Sequence, residues 1–161
     1  MILVDLLDLV HAKLGQRQTL PLNVGDSVIE DLHLEYLRGD LHLTRLAHGI
    51  LAQGRLEALV ETDCTRCLTP FFVPITLEIE DLISLPGAEL TQERPVRVNE
   101  DGRANLAPLV REYAWLGMPL NPSCSATCEK LCAVCGGNVN LGECTCEAPI
   151  DPRWEALRSL L

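Results

Sequence analysis

Six of the eight cysteines in this chain of 161 residues fall within CSATCEKLCAVCGGNVNLGECTC, residues 124–146, and the other two, Cys64 and Cys67, sit in DCTRCL. Thiolates at this density imply a soft or borderline metal ion, and zinc is the expected one. Cys132 and Cys135 have the two-residue spacing that lets one turn present both sulfurs to a single ion, and Gly136 with Gly137 lets the chain turn away. Cys144 and Cys146, spaced by two, would share one face of a strand about 6.6 to 6.8 Å apart, near enough for one metal after modest bending. These four form the local site that spacing favours. Cys124, Cys128 and Cys132 recur every fourth residue and would lie on one stripe if that stretch were helical. Cys64 and Cys67 then need a second pair, either Cys124 with Cys128 or Cys132 with Cys135. One or two zinc ions are expected.

Two other chemistries fit the same residue types. Eight cysteines make an even number and could form four disulfides, or thiolates could hold iron and sulfide. Disulfides need an oxidising compartment, and the N-terminus argues against export. MILVDLLDLVHA has no basic residue before its apolar stretch, and Asp5 and Asp8 interrupt that stretch where a signal peptide would run on. A cytoplasmic chain with reduced thiols is expected.

The elements that must position these cysteines are legible from periodicity. Thr19 to Leu22 read as a short edge strand before Gly25 and Asp26. Leu32, Leu34 and Tyr36 alternate with His33 and Glu35. Arg38, Gly39 and Asp40 read as a turn, and Leu41, Leu43 and Arg45 alternate beyond it, which is a hairpin pattern. A third strand carries Ala52, Gly54, Leu56, Ala58 and Val60 straight into Cys64. A fourth follows Cys67 and Pro70, with Phe71, Val73, Ile75, Leu77 and Ile79 on one face, so Cys64 and Cys67 occupy a hairpin tip. Residues 2–10 fit a strand or a short helix equally well. Residues 86–95 read as an exposed loop, and Val96 and Val98 as a short strand. Leu106, Leu109, Val110, Tyr113 and Leu116 then recur at helical spacing, with Asn105 as N-cap and Gly117 and Pro119 as the stop. Asp151 and Pro152 start a terminal helix bearing Trp154, Leu157, Leu160 and Leu161.

The expected class is therefore α+β: mainly an antiparallel sheet or partly closed barrel, with two short helices and a C-terminal zinc-knuckle module. Residues 1–120 form the sheet domain with its covering helix, and residues 121–161 the cysteine-rich module and terminal helix. A parallel sheet is disfavoured because the connections are shorter than a crossover requires. No apolar run approaches the roughly 18 residues that span a membrane.

With 47 % hydrophobic but only 4 % aromatic residues, the core must be Leu, Val, Ile and Ala, and few rings are left to stack on bases. Formal charge is −10, and two sites of four thiolates around Zn²⁺ would bring it to −14. Such a surface repels phosphate and attracts basic partners. Direct RNA binding would need a basic patch, and Arg94, Arg97 and Arg103 are the only loose grouping, diluted by Glu100 and Asp101. His11, His33, His42 and His48 all precede the six-cysteine segment; His33 and His42 fall on polar strand faces and read as solvated histidines. No Gly-rich phosphate loop or catalytic constellation is present, so a non-catalytic protein is expected.

In order, CTRCLTPF, LEIEDL, NLAPLVREYAWLGMPLNPSC, CEKLCAVCGGNVNLGECTC and IDPRWEALRSLL make the chain resemble, over nearly its full length, the YceD family, also called domain of unknown function 177. The family often reads LALP where this chain has WLGMP. The resemblance implies a factor in accumulation of 23S ribosomal RNA and biogenesis of the large ribosomal subunit. Together with the acidic charge, it points to a basic ribosomal protein or assembly factor as partner, with ribosomal RNA reached indirectly. The rival classes are a zinc-dependent, redox-regulated holdase chaperone and a direct RNA-binding module.

Overall fold

The computed structural model describes residues 1–87, 96–146 and 153. Two compact units are present: Met1–Thr62 with Phe72–Leu120, and Asp63–Phe71 with Asn121–Leu161. The hairpin tip that carries Cys64 and Cys67 thus groups with the later cysteines.

The first unit contains β1 (Leu3–Asp5), α1 (Leu7–Val10), β2 (Arg17–Val24), β3 (Ser27–Ile29), β4 (Leu32–Arg45), β5 (Gly49–Asp63), β6 (Pro70–Ser84), β7 (Arg103–Asn105) and α2 (Ala107–Gly117); β5 and β6 run on into the hairpin tip. The main sheet has the order β2-β4-β5-β6, with β3 also on β4, while β1 and β7 pair separately. β2, β3 and β5 all run antiparallel to β4. Residues 2–10 hold both of the alternatives their sequence allowed, a strand and then one helical turn.

The sheet is open, so the barrel alternative is overturned, and the outer side of β6 supplies the physical reason. The Tyr113 hydroxyl donates to Glu80 O at 2.8 Å and accepts from Glu80 N at 3.2 Å, taking the place of a neighbouring strand. Four residues on, Ser84 N donates to Val96 O and Val98 N to Ser84 O. At the same two-residue parity Pro74 has no N–H to offer. The edge that would close a barrel is already occupied or disarmed.

The expected turn at Arg38, Gly39 and Asp40 does not exist. β4 runs through it, and the pairing with β5 shifts by one residue between Leu34 and Tyr36. That bulge at Glu35 moves the buried phase from Leu32 and Leu34 to Leu37, Leu41 and Leu43. A phase slip and a turn leave the same break in alternation. Gly39 is needed for close approach instead: a Cβ there would lie 2.6 Å from Arg55 O, and its φ of +141° suits glycine alone.

β5 and β6 bury the faces their alternation predicts, and every buried member of the sheet unit's core is Leu, Ile, Val or Ala. The N-cap of α2 is Leu106, which has no side-chain cap, and the expected N-cap Asn105 lies one residue before it; Asn105 Oδ1 accepts from Ala107 N at 3.2 Å and from Ile2 N at 3.0 Å, joining the helix start to the N-terminal strand. α2 buries Ala107, Leu109, Val110 and Ala114, whereas Leu116, expected on the buried stripe, is 74 % exposed. Leu116 falls in the last turn of α2, two residues beyond Ala114, the last residue the helix buries. The 96–98 segment forms only isolated bridges, to Ser84 and Ala104. The predicted loop 86–95 lies mostly, and the terminal helix almost wholly, outside the described residues.

Candidate metal centres

Two turns of the same design carry the first cysteine pair of each cluster. In the hairpin tip Cys64 N donates to Thr69 O at 3.0 Å and Leu68 N to Cys64 O at 2.9 Å; in the later segment Cys132 N donates to Gly137 O at 2.9 Å and Gly136 N to Cys132 O at 2.8 Å. The offsets along the chain are identical. Both turns put the residue after the second cysteine in the left-handed region: Gly136 at φ 74° and, unusually, Leu68 at φ 57°. Each knuckle aims its two sulfurs at one point, as the C-x-x-C spacing led us to expect.

The second pair differs between clusters. Cys64 and Cys67 meet Cys124 and Cys128, while Cys132 and Cys135 meet Cys144 and Cys146, and within each group the four Sγ atoms lie within 4.8 Å of one another. Between the alternatives open to Cys64 and Cys67, the structure selects Cys124 with Cys128. The every-fourth-residue stripe is not realised. Residues 124–132 are not helical, and Cys132 faces the other cluster. Cys144 and Cys146 lie on irregular chain, with Cys146 N donating to Cys144 Sγ at 3.3 Å.

The distances discriminate among the chemistries. Cys64 Sγ to Cys128 Sγ is 3.7 Å and Cys67 Sγ to Cys124 Sγ is 3.8 Å. A tetrahedral ion with Zn–S bonds of about 2.3 Å has edges of about 3.8 Å. A disulfide needs about 2.05 Å, and a multi-iron cluster spreads its four thiolates further apart. All eight cysteines are free thiols. The donor set, four sulfurs per group at single-ion separation, fits zinc.

Local polar contacts order both clusters. Thr65 N donates to Pro122 O at 3.0 Å and Leu131 N to Arg66 O at 3.2 Å, and the Arg66 guanidinium donates to Cys128 O at 2.9 Å. Backbone N–H groups of Cys124 and Cys67 hold the Cys64 thiol down to about 5, whereas burial pushes Cys128 up to about 12. In the later cluster the N–H groups of Cys135 and Val134 lower Cys132 to about 6, and contact with Cys132 raises Cys144 to about 12. Thiols this close cannot all ionise against their mutual repulsion. A divalent cation at the centre would remove that conflict.

Asn138 and Asn140 were not singled out as site residues by sequence reasoning. Asn140 Nδ2 donates to Glu129 O at 2.8 Å and approaches Cys128 Sγ at 3.6 Å, while its Oδ1 accepts from Glu129 N at 2.7 Å. Asn138, nearly buried, accepts from Asn140 N and reaches Thr69 Oγ1. The pair ties the segment leaving the second knuckle to the ligands of the first. Two asparagines spaced by two after Gly-Gly were the available signal, since short amides bond nearby backbone. Neither His33 nor His42 is a member of either cluster. His33 sits between Glu61 at 2.5 Å and Asp26 at 3.0 Å, with its ring edge-on to Phe72.

Fold and site together define an antiparallel-sheet protein with a thiol-rich module built on two matching knuckles. The chain belongs to the family described as large ribosomal RNA subunit accumulation protein YceD, whose model matches residues 52–161. An uncharacterized protein of Mycobacterium tuberculosis is 27 % identical over 160 residues, covering 98 % of this chain and 73 % of its own. One from Mycobacterium bovis matches to the same extent. One from Mycobacterium leprae is 26 % identical over 125 residues, 76 % of this chain and 58 % of its own. No solved structure matches. No helix among the described residues is long and apolar enough to cross a membrane.

Proposed function

We propose that this protein is a non-catalytic factor that supports accumulation of 23S ribosomal RNA and biogenesis of the large ribosomal subunit by binding a basic ribosomal protein or assembly factor in the cytoplasm. Membership of a family described by ribosomal RNA accumulation carries the reading. The charge of −10 supports protein rather than RNA as the direct partner, because phosphate binding rests on Lys and Arg neutralising phosphates. Zinc belongs to the same reading, one ion on Cys64, Cys67, Cys124 and Cys128 and one on Cys132, Cys135, Cys144 and Cys146. Each ion would cross-link chain segments and supply no reaction.

Low-salt pull-downs with reduced protein should recover one or more basic large-subunit proteins, and the yield should fall as salt rises through the physiological range, where the Debye length is about 8 Å. Naked 23S RNA fragments should bind weakly. Tight binding to RNA alone, surviving charge reversal of acidic residues, would overturn the reading. The exposure of Cys135 and Cys146 favours one second reading, the redox-regulated holdase. Oxidant-triggered zinc release accompanied by suppression of aggregation would select it.

A further inference from the structure

Two large apolar side chains, one of them a tryptophan, lie exposed side by side on the outer face of α2. Trp115 is 46 % and Leu116 74 % exposed, although both occupy a helix whose other face is packed. They line an open groove of about 480 Å³ together with Pro108, Arg111, Glu112 and Glu30. A tryptophan in a groove is the kind of anchor that interfaces bury at their centres, and Leu116 beside it widens the apolar surface.

The groove is held in shape from one side. Arg111 Nε donates to Asp31 Oδ1 at 2.6 Å and its Nη2 to Asp31 Oδ2 at 2.9 Å, while Nε also lies 3.2 Å from Glu30 Oε2. The Arg111 guanidinium holds the Asp31 carboxyl below its usual range. Glu30 reaches this position through a left-handed φ of 54° in the β3–β4 turn, a conformation that costs a residue with a side chain roughly 1–3 kcal/mol. Arg111, the one cation among the described residues lining the groove, is thus engaged within it, leaving Glu30, Asp31 and Glu112 with an excess of negative charge around its apolar residues.

That chemistry selects the occupant. A second copy would bring the same acidic rim, on a molecule of charge −10, against itself. A segment with Leu or Phe flanked by Lys or Arg would bury the floor and answer the rim. We propose that the outer groove of α2, floored by Trp115 and Leu116 and rimmed by Glu30 and Glu112, docks a basic amphipathic segment of a protein partner. This rests on the reading that the partner is a basic protein, and it adds where on this chain that partner sits.

Photo-crosslinking of the full-length, reduced, metal-replete protein tests it. Benzoylphenylalanine is placed at position 116 or, as a control on β2, at position 19, and the protein is mixed at low salt with proteins extracted from purified large subunits. Position 116 should capture a basic protein and position 19 should not. A Glu30→Lys, Glu112→Lys double variant with an unchanged melting temperature should lower the yield about tenfold. Crosslinks from 116 into residues 147–161 of the same chain would overturn the proposal, as would crosslinks to a second copy. Capture of the basic protein from position 19 but not 116 would overturn the surface while leaving the partner class standing. If neither position captures anything and the pull-downs recover no basic protein, surface and partner class fall together.

Discussion

The sheet unit and the cysteine unit reach order by opposite means. In the sheet unit a continuous cluster of Leu, Ile, Val and Ala is removed from water. In the cysteine unit the buried hydrophobic set among the described residues is Cys64, Cys67 and Cys128, with Phe71 packed against it. A stretch that small cannot offset the conformational entropy of ordering it, which runs to about 1–2 kcal/mol per residue for the backbone alone. The sheet is held by dispersed, non-directional burial and tolerates local irregularity such as the Glu35 bulge. The cysteine unit needs a few strong directional bonds, and its geometry is repeated almost bond for bond in two places.

The largest test of this contrast is metal removal. Strong chelation under reducing conditions should abolish hydrogen-exchange protection across residues 121–146, because metal-binding free energy is folding free energy in such modules. β4 and β5 should stay protected. Loss of the sheet together with the metal would erase the distinction between the units.

Single-ligand substitutions sharpen it within the cysteine unit. Cys64→Ser and Cys146→Ser should each remove one zinc per chain by elemental analysis. Cys64 is fully buried, so its loss should cost about 3–5 kcal/mol in a denaturant melt of the unit. Cys146 is exposed, and its loss should cost about 1–2 kcal/mol and leave the other ion in place. The opposite lever is Leu41→Ala. It opens a cavity in the sheet core and should cost about 2–4 kcal/mol of sheet stability with zinc content unchanged.

A smaller effect compares the knuckles with each other. Leu68→Gly should relieve left-handed strain and stabilise the hairpin-tip knuckle by about 1 kcal/mol, since that side chain is largely exposed. Gly136→Leu should destabilise its counterpart by a similar amount. Equal signs for the two would mean that the turns are not the same device.

The smallest concerns pH. Hydrogen bonds that the His33 ring donates to the Glu61 and Asp26 carboxylates raise its pKa above the ordinary value, so the folded state holds its proton more tightly than the unfolded chain does. That contribution is complete below about pH 6.5 and disappears as pH rises through the raised folded value. Wild type should lose slightly more sheet stability than His33→Gln between pH 6 and 9. Identical slopes in paired melts would remove His33 from the account.

Much of the fold was legible because it is local. β5 and β6 alternate without a break, and their buried faces follow from the period of two. The stop of α2 follows from Gly117 and Pro119, while its start falls one residue past the expected Asn105, with Leu106 as N-cap. What misled was also local in appearance: the slip at Glu35 imitates a turn when read in one strand, since it is visible only against the register of β5. Leu116 looked like a core residue because its spacing fits, but the buried part of α2 ends at Ala114, a limit set by what the helix packs on and not by its period. The unclosed edge of β6 had only Pro74 as a signature in the sequence. It depends on where the Tyr113 hydroxyl arrives, 33 residues along the chain from Glu80.

The sequence by itself determined the ligand atoms, the C-x-x-C turns and the apolar make-up of the core, because each depends on side-chain chemistry or on backbone reach over a few residues. Only the tertiary structure decided which cysteines share a centre. Cys64 and Cys67 could have closed on either later pair, and the entropy difference between loops of nearly equal length is far too small to choose, since even doubling a loop costs only about 0.6 kcal/mol. The choice was made by the bonds from Thr65 and Arg66 to Pro122 and Cys128, long-range contacts that spacing along the chain does not record.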